Sequence, residues 1–487
     1  MTTGRTIFAG GTAARRFTPS LTLFVALAVF ALSLPFGTLL LNDPDPYWQI
    51  VAGRWILANH ALPQREVFSY TMAGAPWIVH EWLAIVGIAL VYDGLGWAGL
   101  VVAACLAIAV TVALLLRALL RYVEPGYAVA GALAAWGLMM PHSLARPHLF
   151  VMPIVVLWLT ILVDARAAER APSPWWALLM ILWANLHGGF VLGDALIIAF
   201  AGEMALEQPH FAALRRQAFG WARFFAVSVV AGCLTPNGVA GFLLPFRLMG
   251  MHSVMANIIE WQSPDFQTAQ PLEPWLLLVL LGALTFGVKL PVTRVVMLLV
   301  FVHEALVHRR FADMLGLAAP LLVAPALAAQ FPSQMANAWG ARLARWAQPA
   351  SLGGTLVAAL VALCLAAAPL AHGIDNASGP LAPRAALTWA QQHGVTGPVF
   401  NDLNFGGYLI YRGIAPFIDG RAELYGEAFN KLYDDDAKFP ALLAQYHIAW
   451  TLLNPKDTRL AILENLPGWK RVYTDGIAVI DVRDPAP

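Results

Sequence analysis

Charge is scarce in this chain: Asp, Glu, Lys and Arg make up only 12% of its 487 residues, about half the share of an ordinary soluble domain. With 59% hydrophobic residues, it cannot hide its apolar surface in one water-facing core. A soluble globular enzyme is thereby excluded, and an integral membrane protein with several spans is predicted. Net charge is also missing; a formal +1 offers nothing to attract nucleic acid or a polyacidic partner. Cysteine is nearly absent. Cys105, Cys233 and Cys364 each sit in an apolar run, which excludes a disulfide framework or zinc spacing and leaves them as small lipophilic residues. Internal repeats, low-complexity tracts and long charge runs are lacking. The first apolar run, 21–41, is too long for a signal-peptide core and has no small-residue cleavage site, so it reads as a retained helix.

Long hydrophobic runs are what the chain does have. Further candidate spans are 98–116, 127–143, 149–163, 174–187, 189–206, 224–242, 272–288, 293–307, 311–330 and 351–371, giving about 11 crossings. Basic residues favour the cytoplasmic side. Arg5, Arg15 and Arg16 therefore put segment 1–20 in the cytoplasm, and the clusters Arg117/Arg121, Arg166/Arg170, Arg215/Arg216/Arg223, Lys289/Arg294 and Arg342/Arg345 mark later inner loops. Segment 82–96 is apolar enough to cross but would invert everything after it, so a re-entrant or interfacial piece is expected there. The membrane domain then covers 21–371, with a first extracytoplasmic loop at 42–81. The expected location is a bacterial cytoplasmic (inner) membrane, with the C-terminal part outside.

This threading places the polar motifs on one face: Asp43/Asp45, His80-Glu81, Arg146/His148, Asn185/His187, Thr235-Pro-Asn237-Gly238, Glu260 and His308-Arg309-Arg310. Polar groups at a bilayer are costly unless they face a cavity or a partner, so their gathering suggests a site at the outer leaflet. Beyond residue 371 charge density becomes ordinary. Segment 372–487 alternates helix-like stretches (382–392, 424–438, 458–465) with strand-like ones (398–402, 448–453, 469–474, 477–483). An extracytoplasmic α/β domain is predicted, so the fold class is an all-α polytopic membrane domain with a C-terminal α/β domain.

Asp43-Pro-Asp45-Pro-Tyr47-Trp48 follows directly on the first span. Asp45-Pro46 reads as a helix N-cap followed by proline at the first helical position. The helix it starts has Trp48, Val51, Ala52 and Trp55 on one apolar face, which suits an interfacial helix anchored by Tyr47, Trp48 and Trp55. With Asp45 occupied as a cap, Asp43 is the freer carboxylate and the better general base for an acceptor hydroxyl. Arg146, His148, Arg309 and Arg310 are candidates to hold a phosphate. Tyr47, His80, Glu81, Asn185, His187 and Glu260 are candidate cavity residues. Asp43 and Asp45 are also oxygen ligands that a divalent cation (Mg or Mn) would use. Plainer structural roles compete: Asn185 and His187 as satisfiers of a broken helix, Arg146 and His148 as headgroup contacts, and Asp419-Gly-Arg421 with Glu423 as a turn of the outer domain.

Taken together, the first-loop aspartate, the aromatic helix and the trailing outer domain resemble the GT-C superfamily. These are membrane glycosyltransferases that use polyprenyl-phosphate-linked sugars, among them protein O-mannosyltransferases and the aminoarabinose transferases of lipid A. Asp43 and Tyr47 match the ends of the Asp-Glu-x-x-Tyr pattern, with Pro44 in place of the second acid. Phe68-Ser-Tyr-Thr, His80-Glu-Trp-Leu83, Trp183-Ala-Asn-Leu-His-Gly-Gly-Phe190 and Phe417-Ile-Asp-Gly-Arg-Ala-Glu-Leu-Tyr425 are similar to an uncharacterised bacterial branch of that class. The resemblance implies an inverting transfer with Asp43 as base, from a lipid-linked sugar donor to a glycan, lipid or protein acceptor, with metal use variable among relatives. A lipid-carrier flippase or solute transporter, or a non-catalytic glycan-binding membrane protein, are the alternatives; transporters favour repeated halves, which the chain lacks.

Overall fold

The computed structural model describes residues 20–208, 210–251, 259–331, 346–376 and 379–484. Arg5, Arg15, Arg16, Arg342 and Arg345 lie outside the described residues. Six described helices are long and apolar enough to cross a bilayer: Leu21–Leu40, Trp82–Leu119, Pro147–Ala167, Gly188–Glu207, Arg309–Gln330 and Leu352–His372. Helices Pro174–Leu186, Gly238–Met249 and Leu272–Phe286 are apolar but shorter. At about 1.5 Å per residue, the 21 residues of Pro147–Ala167 span about 30 Å, the thickness of the hydrocarbon layer. The protein is a mostly helical membrane protein with a small C-terminal sheet.

Two segments depart from the expected runs. The span expected at 224–242 is broken: helix Phe211–Gly232 ends before Thr235-Pro236-Asn237, and a second helix runs over Gly238–Met249. Proline and the turn-forming Asn-Gly stop the first helix there. Its N-terminal half is rich in Ala, Leu, Arg and Gln, good helix formers, so Arg215, Arg216 and Arg223 lie within it rather than in a preceding loop. Segment 82–96 is helical and joins the next span directly, within Trp82–Leu119, across a bend at Gly96 (φ 64°, ψ −159°) that only glycine adopts readily. Before that bend the helix is only about 21 Å long, short of a crossing.

Helix Asp45–Asn59 was expected to lie in the interface on its aromatic residues. Instead it is sandwiched between Trp82–Leu119 and the C-terminal region, whose short helix Gly406–Tyr411 packs on it. Tyr47 is buried among Trp97, Tyr408 and Tyr411, and Trp48 packs edge-on to Trp77. Both are core residues.

The C-terminal sheet has strands β1 (Val399–Asn401), β2 (Trp450–Leu453), β3 (Trp469–Thr474) and β4 (Val479–Arg483) in the order β1-β2-β4-β3. The β1-β2 pair is parallel and the other two are antiparallel. Every residue of β1 and β2 is buried, as expected for strands covered on both faces. Helices Arg384–Gln392, Ala422–Tyr433, Phe439–Gln445 and Arg459–Glu464 accompany them, close to where the periodicity puts helical stretches.

Candidate functional site

The helix-starting bond expected of Asp45 is made by Asp43. Asp43 Oδ1 accepts the backbone N–H of Asp45 at 2.8 Å, the turn-closing bond by which an aspartate starts a helix. Asp45 is already the first residue of helix Asp45–Asn59 and caps nothing; its Oδ1 accepts Trp48 Nε1 at 3.0 Å. Asp-Pro looked like cap plus first turn, but the helix begins one residue earlier. Nor is Asp43 a free carboxylate at the water boundary: it is only 4% exposed.

Arg146 brings the pair together. It precedes Pro147, which holds it extended (φ −123°, ψ 167°) at the start of helix Pro147–Ala167. The Ala145 N–H donates to the Leu40 carbonyl at 2.7 Å, tying this turn to the end of the first span. From there Arg146 Nη1 lies 3.0 Å from Asp43 Oδ2 and 3.0 Å from Asp45 Oδ2, while Nη2 donates to Glu260 Oε2. A guanidinium expected to await a phosphate is thus engaged by three carboxylates. Burial pushes the Asp43 carboxyl up to about 7, with Asp45 and Glu260 adding to the rise and Arg146 opposing it. Burial also raises Asp45, against Arg146.

Arg310 is the cation left over. Its guanidinium sits over the Trp261 ring, 4.9 Å from the centroid. Among the described residues it makes no hydrogen bond or ion pair, while Glu260, Arg146, the buried Asp313 and Glu81 all lie within its electrostatic reach. Arg309 does not join the group; its Nη2 donates to the Ser263 carbonyl at 3.4 Å and its backbone N–H to the Gln262 carbonyl. His148 is buried, with Nε2 3.3 Å from the His142 carbonyl and its ring 6.4 Å from that of His187.

Glu81 forms a second node. Its Oε1 lies 3.6 Å from His80 Nε2 and 3.5 Å from His187 Nε2. His187 Nδ1 accepts the Gly189 N–H at 2.9 Å, so the neutral ring carries its proton on Nε2, toward Glu81. Burial takes the His187 pKa down to about 4, Glu81 resisting. Burial also disfavours charge on His80, yet the adjacent Glu81 carboxylate prevails and lifts it to about 9. For Glu81, burial raises the pKa, but charge and hydrogen bonding from His80 win and bring it to about 2. Asn185 is spent structurally: its amide donates to the Ile181 and Leu234 carbonyls (2.8 and 3.1 Å) and accepts Trp82 Nε1 at 2.6 Å. It also borders an apolar groove of about 700 Å³ lined by Trp82, Leu83, Leu178, Ile181, Leu182 and Leu234. Tyr47 is buried, and its hydroxyl donates to the Asn376 carbonyl at 2.8 Å.

The sequence pattern gave no sign of the part played by the C-terminal region. A Cβ on Gly407 would stand 2.3 Å from the Pro44 carbonyl oxygen, and one on Gly420 would stand 2.3 Å from Asp45 Oδ1. Asp419-Gly-Arg421 is therefore no surface turn. Arg421 is wholly buried, paired with Glu66 (Nη1 to Oε2, 2.5 Å) and Asp419 (Nη2 to Oδ2, 2.6 Å). The rings of Trp77, Phe68 and Trp48 surround it at 4.7, 5.5 and 5.7 Å. Two residues on, Glu423 Oε1 accepts Trp77 Nε1 at 3.5 Å and interacts with His80. The motif was visible, but its partners lie more than 300 residues away in sequence.

Asp43 and Asp45 do not fit a divalent ion. Such an ion needs its own place about 2.0–2.6 Å from several oxygens, and Arg146 Nη1 holds the position between the two carboxylates. Among the described residues no group of three or more His, Cys, Asp or Glu converges on a metal position.

The sequence matches no family model and no curated protein. The fold has solved counterparts. Oligosaccharyltransferase AglB from Archaeoglobus fulgidus, in complex with an inhibitory peptide and a dolichol-phosphate, aligns with a TM-score of 0.55 at 11% identity, over 89% of this chain and 69% of that one. The Archaeoglobus fulgidus oligosaccharyltransferase tethered to an acceptor peptide aligns with a TM-score of 0.50 at 12% identity, over 88% and 68% of the two chains. ArnT from Cupriavidus metallidurans, bound to undecaprenyl phosphate, aligns at 0.43 and 15% identity over 95% and 97%. The chain shares the fold of these Archaeoglobus fulgidus oligosaccharyltransferase structures.

Proposed function

We propose that this protein is a glycosyltransferase that moves a sugar from a polyprenyl-phosphate carrier to an acceptor hydroxyl at the extracytoplasmic face of a bacterial inner membrane, in a body of about 11 crossings. The observation that carries this is the meeting of two first-loop carboxylates, one buried and one partly buried, with a cation that pairs with no acid among the described residues. Asp43 sits beside Asp45 on Arg146, and Arg310 lies on Trp261 within reach of the same group. The fold adds support, since AglB has been solved with a dolichol-phosphate.

Asp43 is the general base. With a pKa near neutrality, its carboxylate is present in quantity at working pH yet basic enough to take a hydroxyl proton. Each carboxylate oxygen has two acceptor positions, so Oδ2 receives the acceptor hydroxyl while still paired with Arg146. The acceptor oxygen then attacks the anomeric carbon as its proton passes to Asp43. The bond from that carbon to the phosphate oxygen breaks, and its electron pair leaves with the polyprenyl phosphate. Attack opposite the leaving group inverts the anomeric centre. Arg310 takes the added negative charge on the phosphate, its fork suited to two oxygens and its position set by Trp261. The lipid tail follows the apolar groove beside Trp82 and Leu234, which Asn185, two residues from His187, also lines.

Purified protein in lipid nanodiscs, given polyprenyl-phosphate sugars labelled in the sugar, tests this reading. Release of free polyprenyl phosphate together with a labelled product is expected. Movement of the intact carrier across vesicle membranes, with the sugar–phosphate bond never cleaved, would replace the enzyme with a flippase.

A further inference from the structure

We propose that Arg146 stands in for a divalent cation, so that this site works without a metal; the inference rests on the glycosyltransferase reading above. Paired aspartates one residue apart invite a metal, because two nearby carboxylates repel each other unless a cation lies between them. Here the compensating charge is covalently built in. Arg146 Nη1 contacts both aspartates at 3.0 Å, and its second nitrogen is taken by Glu260, which arrives from a distant segment before Trp261. Three carboxylates from two parts of the chain therefore aim at one guanidinium and take three of its five N–H donors, both of those on Nη1 among them.

Donors and backbone also crowd the positions around the pair that an ion would take. Asp43 Oδ1 is used by the Asp45 N–H and Asp45 Oδ1 by Trp48 Nε1. Gly420 closes over Asp45 so tightly that even a methyl group would collide with its carboxylate. The other acids do not supply a substitute set, since Glu81 is engaged with His80 and His187. Arg146 is a positioning residue. It fixes Oδ2 of Asp43 in place and stays protonated throughout, while the proton of the acceptor moves to Asp43 and the leaving phosphate meets Arg310.

A titration of the full-length protein in nanodiscs with Mn²⁺ alone, followed by electron paramagnetic resonance, tests this without relying on turnover. The wild type is expected to show no site that D43N removes. R146M, which exposes the two aspartates, should bind Mn²⁺ at least about tenfold more tightly than wild type, and D43N/R146M should lose that gain. Transfer by the wild type should survive exhaustive EDTA treatment, and R146K, which keeps the charge but loses the two-pronged fork, should retain part of the activity. Mn²⁺ binding by the wild type that D43N abolishes, or transfer lost to EDTA and restored by Mn²⁺, would overturn the proposal. The Mn²⁺ titration of the wild type decides the question even if R146M fails to fold. Lack of transfer under every condition would instead remove the glycosyltransferase reading, and the binding data would still judge Arg146.

Discussion

Replacing Asp43 with Asn isolates the proposed base from the architecture around it. The amide oxygen still accepts the Asp45 N–H that shapes the turn, and Arg146 keeps Asp45 and Glu260 as partners, so the fold should persist. Loss of a general base typically costs 10²–10⁴ in rate, about 3–5 kcal/mol of barrier. The pH profile gives a sharper test. With a pKa of about 7, the ionised fraction of Asp43 climbs from about one-tenth at pH 6 to about nine-tenths at pH 8, so kcat/KM of the wild type should rise about tenfold over that interval. D43N should lack this rise. Folding responds in the opposite sense. Because burial raises the carboxyl from 3.8 to about 7, its contribution to stability is complete below pH 3.8 and is lost as pH climbs through 7. Thermal unfolding of the wild type should weaken across that window, and D43N should weaken less. Transfer of labelled sugar, measured for both proteins from about pH 5.5 to 8.5, decides the matter. A D43N enzyme with wild-type rates, or one that keeps the same rising limb, would show that the proton goes elsewhere.

Arg310→Gln should raise the KM for the lipid-linked donor about 10–100-fold, the value of charged hydrogen bonds to a phosphate, with a smaller change in kcat; steady-state kinetics with an unchanged KM would remove Arg310 from the donor site. Gly407→Ala places a methyl against the Pro44 carbonyl, and the shift forced on the adjoining aspartates should cut kcat/KM about 10²-fold while helical circular dichroism is preserved. Arg421→Met strands Glu66 and Asp419 as buried charges and should destabilise the C-terminal region by about 3–5 kcal/mol. Limited proteolysis and thermal unfolding would detect that, and an unchanged profile would show that the cluster contributes little.

Most of the helical body and the gathering of polar motifs at one end were legible in the sequence. Hydropathy forces long helices, and polar residues near a bilayer have few places to go. Periodicity located the strands of the small sheet within a residue or two, because β1 and β2 are short apolar runs bounded by turn residues. Pairings across the chain were not legible. Nothing local says that Arg146 will meet Asp43, about 100 residues earlier, instead of a phosphate. The helix-starting bond falls to Asp43 because Asp-Pro occurs at both 43–44 and 45–46, and Asp45 is held instead by Trp48 and Arg146. Tyr47 suggested an interface anchor because its ring is amphipathic. A covering layer of Tyr408 and Tyr411, more than 350 residues later, makes it a core residue.

The contact of Gly407 and Gly420 with the aspartate loop sets an order for biogenesis. A ribosome delivers the first loop more than 350 residues before the glycines that pack against it. A chain that stops short of Gly407 leaves that loop without the backbone that packs against Pro44 and Asp45.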